Sequence, residues 1–210
     1  MIIINFKNYK SGKDVLSLAK KIEKFSKKFI TCVPAFYLSE ISKKTSLKVF
    51  AQHVDKETSE KSTGFLTIES AKKDGASGSL LNHSEHKLDF KKIKDTITIS
   101  KKLKFNLVVC VSNINEAKKI LKLNPFAIAY EDPSLISTKN SITSSNKKQI
   151  INFVKLFKNK KTIPLCGAGI NSSEDYTESL KLGCKGILVS SIVANNSHPD
   201  IFLNSVKHLI

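Results

Sequence analysis

Arginine and tryptophan are absent from this 210-residue chain, methionine occurs once, and glycine and proline number eight and five. All 35 basic residues are therefore lysine, and the formal net charge is +17. Without guanidinium groups there is no bidentate grip on base edges or phosphates, so no nucleic-acid partner is expected despite the charge. No stretch approaches the ~18 consecutive apolar residues of a membrane span, and no membrane association is expected. The opening MIIINFKNYK is too short an apolar run for a signal peptide and has no basic residue ahead of it. The expectation is a cytoplasmic protein, complete as written. The glycines form no nucleotide fingerprint, and no His, Cys and acid cluster has metal-ligand spacing, so neither cofactor nor metal is expected. Cys32, Cys110, Cys166 and Cys184 contain no CxxC pair. Three of them end short apolar runs, which reads as buried free thiols and not as a zinc site or disulfide frame.

What is present is ordinary for a globular protein: 40% hydrophobic and 25% charged residues. The length suits one domain, residues 1–210, with a core large enough to need no cross-links. The lysines are scattered (Lys20, Lys21, Lys91, Lys92, Lys147 and Lys148 among them) as on solvated helix faces. The same field would draw an anionic substrate inward.

Two kinds of segment alternate along the chain. Short apolar runs fall at 2–5, 29–33, 47–52, 78–82, 105–110, 126–130, 162–166 and 186–189, and continuous runs of this kind suit buried parallel strands. Lys-rich segments with helical spacing lie between them, clearest at 13–27, 89–102, 114–122 and 147–158, weaker at 36–44, 68–73, 173–182 and 199–208. Ser172 and Ser173 precede Glu174 and Asp175, and Asn113 precedes Glu116, as helix starts do. Gly75 and Gly183 follow helical segments, where a terminating glycine belongs. Eight strand–helix units predict an α/β fold, a parallel sheet closed into a (β/α)8 barrel at ~26 residues per unit. The rival, an open doubly wound sheet, would place a glycine-rich turn after the first strand, where this chain reads Asn5-Phe6-Lys7-Asn8-Tyr9.

Barrels of this kind carry their sites at the C-terminal strand ends. Those ends offer Asn5 and Lys7; Gln52, His53 and Asp55; Asn82, His83, Ser84 and Glu85; Glu131; Gly167-Ala168-Gly169; and Ser190-Ser191. Lys7 is a fixed cation, His83 a hydrogen-bond donor and Glu131 a base. Gly167, Gly169, Ser190 and Ser191 present backbone N–H groups on the last two strands, where phosphate is often held. Taken singly, each has a plainer role: a solvated lysine, a structural histidine, a helix cap, a turn glycine. Their convergence on one barrel mouth points to a small phosphorylated substrate that undergoes proton transfer.

The segments Asn5-Phe6-Lys7, Ala51-Gln52-His53-Val54-Asp55, Asn82-His83-Ser84-Glu85, Ala129-Tyr130-Glu131 and Cys166-Gly167-Ala168-Gly169-Ile170 resemble the triosephosphate isomerase family in its short archaeal form. The resemblance runs in family order over nearly the whole chain. It implies a TIM barrel that interconverts dihydroxyacetone phosphate and D-glyceraldehyde 3-phosphate, without a cofactor, as a homodimer or homotetramer. This family is itself a standard illustration of a glutamate base beside a neutral histidine, so the following roles are carried over by resemblance. Glu131 is the base, His83 the electrophile, and Lys7 and Asn5 hold substrate and developing negative charge. Ile136, Gly167, Gly169, Ser190 and Ser191 bind substrate. Glu85 pairs with Lys7 or orients the His83 loop. The segment 56–65 is a contact loop between subunits or a free surface loop.

The chain departs from the family pattern where Ser137, Lys139 and Ile192 stand in place of glycines. At each, a positive φ would cost roughly 1 kcal/mol or more, and Ile192 would add bulk beside phosphate. Weaker phosphate binding and lid closure are the expectation. The alternatives are a weakened or non-catalytic relative, or an isomerase of another sugar phosphate.

Overall fold

Each short apolar run becomes a strand buried on both faces, because helices cover the outside and facing strands fill the inside. The computed structural model describes residues 1–58, 61–131 and 147–210. Its strands are β1 Ile2–Asn5, β2 Ile30–Val33, β3 Lys48–Ala51, β4 Gly78–Leu81, β5 Asn106–Val111, β6 Ala127–Tyr130, β7 Ile163–Cys166 and β8 Ile187–Val189. They pair in chain order, all parallel, and β8 returns to β1 with Leu188 opposite Ile3, so the sheet closes. The expected barrel is therefore found, and the open sheet is not.

The helices are α1 Lys13–Phe25, α2 Leu38–Lys44, α3 Ile68–Lys73, α4 Phe90–Lys102, α5 Ile114–Leu121, α6 Lys147–Lys155, α7 Ser173–Lys181, α8 Ser191–Ala194 and α9 Pro199–Val206. The short α8 had no periodic signal to announce it. α1 stops earlier than its lysine run because Ser26 turns to extended backbone. Ser172 Oγ accepts the Asp175 N–H at 3.2 Å and Asn113 Oδ1 accepts that of Glu116 at 2.8 Å, as their positions suggested. Thr67 and Asp89 cap α3 and α4 in the same way. All four cysteines are free and buried. No described helix is long and apolar enough to cross a membrane.

Charge is sorted along the helices. Lysines occupy the last turns of α1 to α7, while acids such as Asp14, Glu40, Glu69, Glu116, Glu174 and Asp200 stand in first turns. Both placements complement the helix dipole. The helices begin at the barrel mouth and end at its base, so these last-turn lysines lie at the base, while Lys13, Lys91, Lys92, Lys147 and Lys148 stand in first turns at the other end.

The apolar interior forms two layers. An outer one joins strands to helices through Ile2, Ile4, Val49, Leu81, Val109 and their neighbours. An inner one fills the barrel with Ile3, Cys32, Phe50, Leu80, Val108, Cys110 and Leu165. Phe50 enters this space because Gly78 lies opposite it on β4; a Cβ there would stand 2.5 Å from Phe50 Cζ and 2.5 Å from the Asn106 carbonyl oxygen. Gly78→Ala is accordingly expected to destabilise the protein by about 1–3 kcal/mol through overpacking. A urea titration reads this as a lower midpoint at unchanged slope, and an unmoved midpoint would show that Phe50 yields.

Candidate active site

Three strand ends meet at the mouth: those of β1, β4 and β6. After β1, Lys7 takes a left-handed backbone with φ +44°, a conformation that a side chain with a Cβ resists. Hydrogen bonds hold it there. Asn5 Oδ1 accepts the Lys7 N–H at 2.9 Å, and Gln52 Nε2 donates to the Lys7 carbonyl at 2.9 Å and to Asn5 Oδ1 at 3.2 Å. The bend turns the Lys7 ammonium toward the mouth, where it donates to Glu85 Oε1 at 2.7 Å.

His83 follows β4 and is buried. Its Nδ1 accepts the backbone N–H of Glu85 at 3.2 Å. A nitrogen that accepts carries no proton, so the neutral ring bears its hydrogen on Nε2. That Nε2 faces Glu131 Oε1 at 3.7 Å. Burial lowers the His83 pKa below the usual imidazole value; Glu85 opposes this, while Lys7 and Lys87 reinforce it. The ring is neutral at pH 7 and donates toward the mouth.

Glu131 follows β6 and is 5% exposed. Burial pushes its carboxyl up to about 7, against the lowering effects of a hydrogen bond from the Cys110 thiol and of the Lys7 and Lys87 charges. Its Oε2 is buried and has no hydrogen-bond partner among the described residues. Across the mouth, a Cβ on Gly167 would stand 2.8 Å from Glu131 Cγ, so the glycine makes room for the base. A buried carboxylate with one free oxygen, beside a neutral imidazole donor and an ammonium, can take a proton from carbon next to a carbonyl and stabilise the oxyanion that results.

The family model for triosephosphate isomerase matches residues 1–208. The chain belongs to the triosephosphate isomerase family. It is 36% identical to the triosephosphate isomerase of Thermoplasma volcanium, over 98% of each chain. It is 35% identical to that of Sulfolobus acidocaldarius, over 99% of this chain and 95% of the relative. With that of Methanocaldococcus jannaschii the identity is 34%, over all of this chain and 98% of the relative.

The structure brings Asn5, Lys7, His83, Glu85 and Glu131 together as the triosephosphate isomerase resemblance implied, and Glu85 serves both Lys7 and His83. It reassigns Gly167, whose N–H is donated to the Tyr130 carbonyl at 2.9 Å; this glycine contributes space to the site. Gly169, at φ +61°, forms the turn after β7. Ser190 Oγ donates to the Asn5 carbonyl at 2.8 Å and ties β8 to β1, and Ser191 opens α8. Ile192 departs from the expectation of strain: it lies within α8, has no positive φ, and packs on the outer core. Ile136, Ser137 and Lys139 lie outside the described residues. Sequence reasoning missed Gln52 as the clamp on Lys7 and Cys110 as a thiol that lowers the Glu131 pKa. Gln52 stood among the strand-end polar residues, but its targets are backbone atoms, and Cys110 read as one more apolar position.

The titration of Glu131 sets the pH dependence. The base acts only when ionised, and burial keeps it protonated up to about 7. kcat/KM should therefore rise with pH along a single limb with an apparent pKa near 7 and then level, with no second limb from His83 above pH 7. An initial-rate profile between pH 5 and 9 checks this; a limb near the ordinary glutamate value would contradict the buried base.

Proposed function

We propose that this chain performs the reaction its family is named for, the interconversion of dihydroxyacetone phosphate and D-glyceraldehyde 3-phosphate, an aldose–ketose isomerisation in glycolysis and gluconeogenesis. The observation that carries the reading is the buried Glu131 carboxylate, with Oε1 facing His83 Nε2 and Oε2 without a hydrogen-bond partner among the described residues. Glu131 removes a proton from the carbon beside the substrate carbonyl. The C–H electron pair forms the carbon–carbon double bond of an enediolate, and the carbonyl pair moves onto oxygen. His83 donates to that oxygen from Nε2, while Lys7 and Asn5 balance its charge. Glu131 returns the proton to the neighbouring carbon. His83 gives its Nε2 proton to the former carbonyl oxygen and takes the hydroxyl proton from the neighbouring oxygen, so one carbon-bound and one oxygen-bound hydrogen change place with no net oxidation, and the chemistry calls for no cofactor.

The substrate phosphate lies on the β7–β8 side, near Gly169, Ser190 and Ser191, and Ile136 belongs to the substrate-binding set by family resemblance. The working state is a homodimer or homotetramer in the cytoplasm. Phe36 stands 94% exposed and Phe65 51% exposed on the loops after the adjacent strands β2 and β3, and a second copy would cover both.

A coupled assay on the purified protein tests the reading. Turnover is expected for the wild type and near-complete loss for Glu131→Gln, with the circular dichroism spectrum retained. The variant should also melt higher than wild type at pH 8 but not at pH 5. Folded Glu131 keeps a proton between its ordinary pKa and about 7 that the unfolded chain releases, so stability falls as pH rises through that window. Its ionisation above pH 7 costs on the order of 3 kcal/mol, which glutamine avoids. Turnover retained by Glu131→Gln would remove it from the role of base. For the oligomer, light scattering should report two or four copies for wild type and a shift toward fewer for Phe36→Asp; a wild-type monomer would refute that state.

A further inference from the structure

We propose that Asn82 is a positioning residue that holds His83 and Glu131 in register with each other. The proposal rests on the isomerase reading of the mouth and concerns a residue that touches no reacting atom. Asn82 directly precedes His83, is buried, and has φ +59°. Its side chain uses both donors and an acceptor on three separate segments. Oδ1 accepts the Leu88 N–H at 2.9 Å and so closes the 83–88 loop that carries His83 and Glu85. Nδ2 donates to the Cys110 carbonyl at 2.8 Å on β5 and to Glu116 Oε1 at 2.8 Å on α5. Glu116 is itself fixed: its Oε2 accepts the Ser112 N–H at 2.7 Å and the Ser112 hydroxyl at 3.0 Å, and Lys87 Nζ lies 3.6 Å from Oε1.

Cys110 makes this anchorage consequential. The residue whose carbonyl receives Asn82 directly precedes Val111 on β5, and the Val111 carbonyl accepts the Glu131 N–H at 2.9 Å. One amide therefore joins the backbone that presents the electrophile to the strand position that supports the base. Asparagine suits the place on two counts. It tolerates left-handed backbone better than most residues with a Cβ, and it offers donors and an acceptor on a short, stiff stem.

The test is Asn82→Gly, which keeps the left-handed backbone accessible and deletes all three side-chain bonds. Because phosphate is held on the β7–β8 side, the effect should fall on the chemical step. kcat should drop at least about tenfold, since small misplacements of reacting groups are costly, while KM stays within about threefold. The acid limb of the pH profile should move down, as a loosened Glu131 gains water. Ile97→Val, a truncation in the outer core on α4, serves as the control for stability loss alone and should leave kcat and the limb unmoved. Glu116→Ala removes one anchor at a half-exposed position and should reproduce the kcat-selective loss in smaller measure, which keeps the test open if Asn82→Gly does not fold. Wild-type kcat with an unmoved limb in the folded Asn82 or Glu116 variant would overturn the proposal, as would a kcat loss that Ile97→Val matches at equal loss of Tm. If the wild type itself shows no isomerase turnover, the functional reading fails and the positioning role is read from the His83 imidazole nitrogen shifts: displacement in Asn82→Gly supports it, and identical shifts overturn it.

Discussion

A carboxylate enclosed by apolar strands sets the terms for the whole mouth. Glu131 sits at the rim of a barrel whose inner layer is aliphatic and aromatic, and burying its charge is unfavourable unless partners compensate. The partners are few: one thiol, two ammonium groups acting at a distance, and space left by Gly167. This sparse compensation raises the base toward neutrality without neutralising it for good. A fuller set of hydrogen bonds would have lowered its pKa and its basicity together.

The surrounding side chains can hold such a group because the barrel is rigid. Lys7 and Asn82 both adopt left-handed backbone, and both are pinned by amide side chains, Gln52 in one case and Asn82's own in the other. Strained conformations persist where the scaffold over-determines them, and here parallel strands packed on two sides supply that scaffold. Ser190, bonded to the Asn5 carbonyl, closes the same ring of supports from the last strand to the first.

The barrel was legible in the sequence because eight apolar runs alternate with eight amphipathic ones, and each period is set by local geometry. The reacting residues were legible because His83, Glu131 and Lys7 are polar where a strand has just ended. Their supports were not. Cys110 is one apolar residue in a run of them, and only the inward turn of β5 shows that its thiol lies beneath Glu131. Gln52 and Asn82 act on backbone atoms far away in the chain, which no spacing rule encodes. Ile192 misled for the opposite reason. A glycine position suggested a need for positive φ, yet α8 carries the isoleucine in ordinary helical backbone with its side chain on the core.

Every helix from α1 to α7 has a lysine in its last turn, yet lysines also open α1, α4 and α6 at the other end, as Lys13, Lys91, Lys92, Lys147 and Lys148. The helix-dipole rule is thus followed at the base and only in part at the mouth. A negatively charged support meets lysine at either end of the barrel, so electrostatic adsorption holds the protein without presenting one face of it to the liquid.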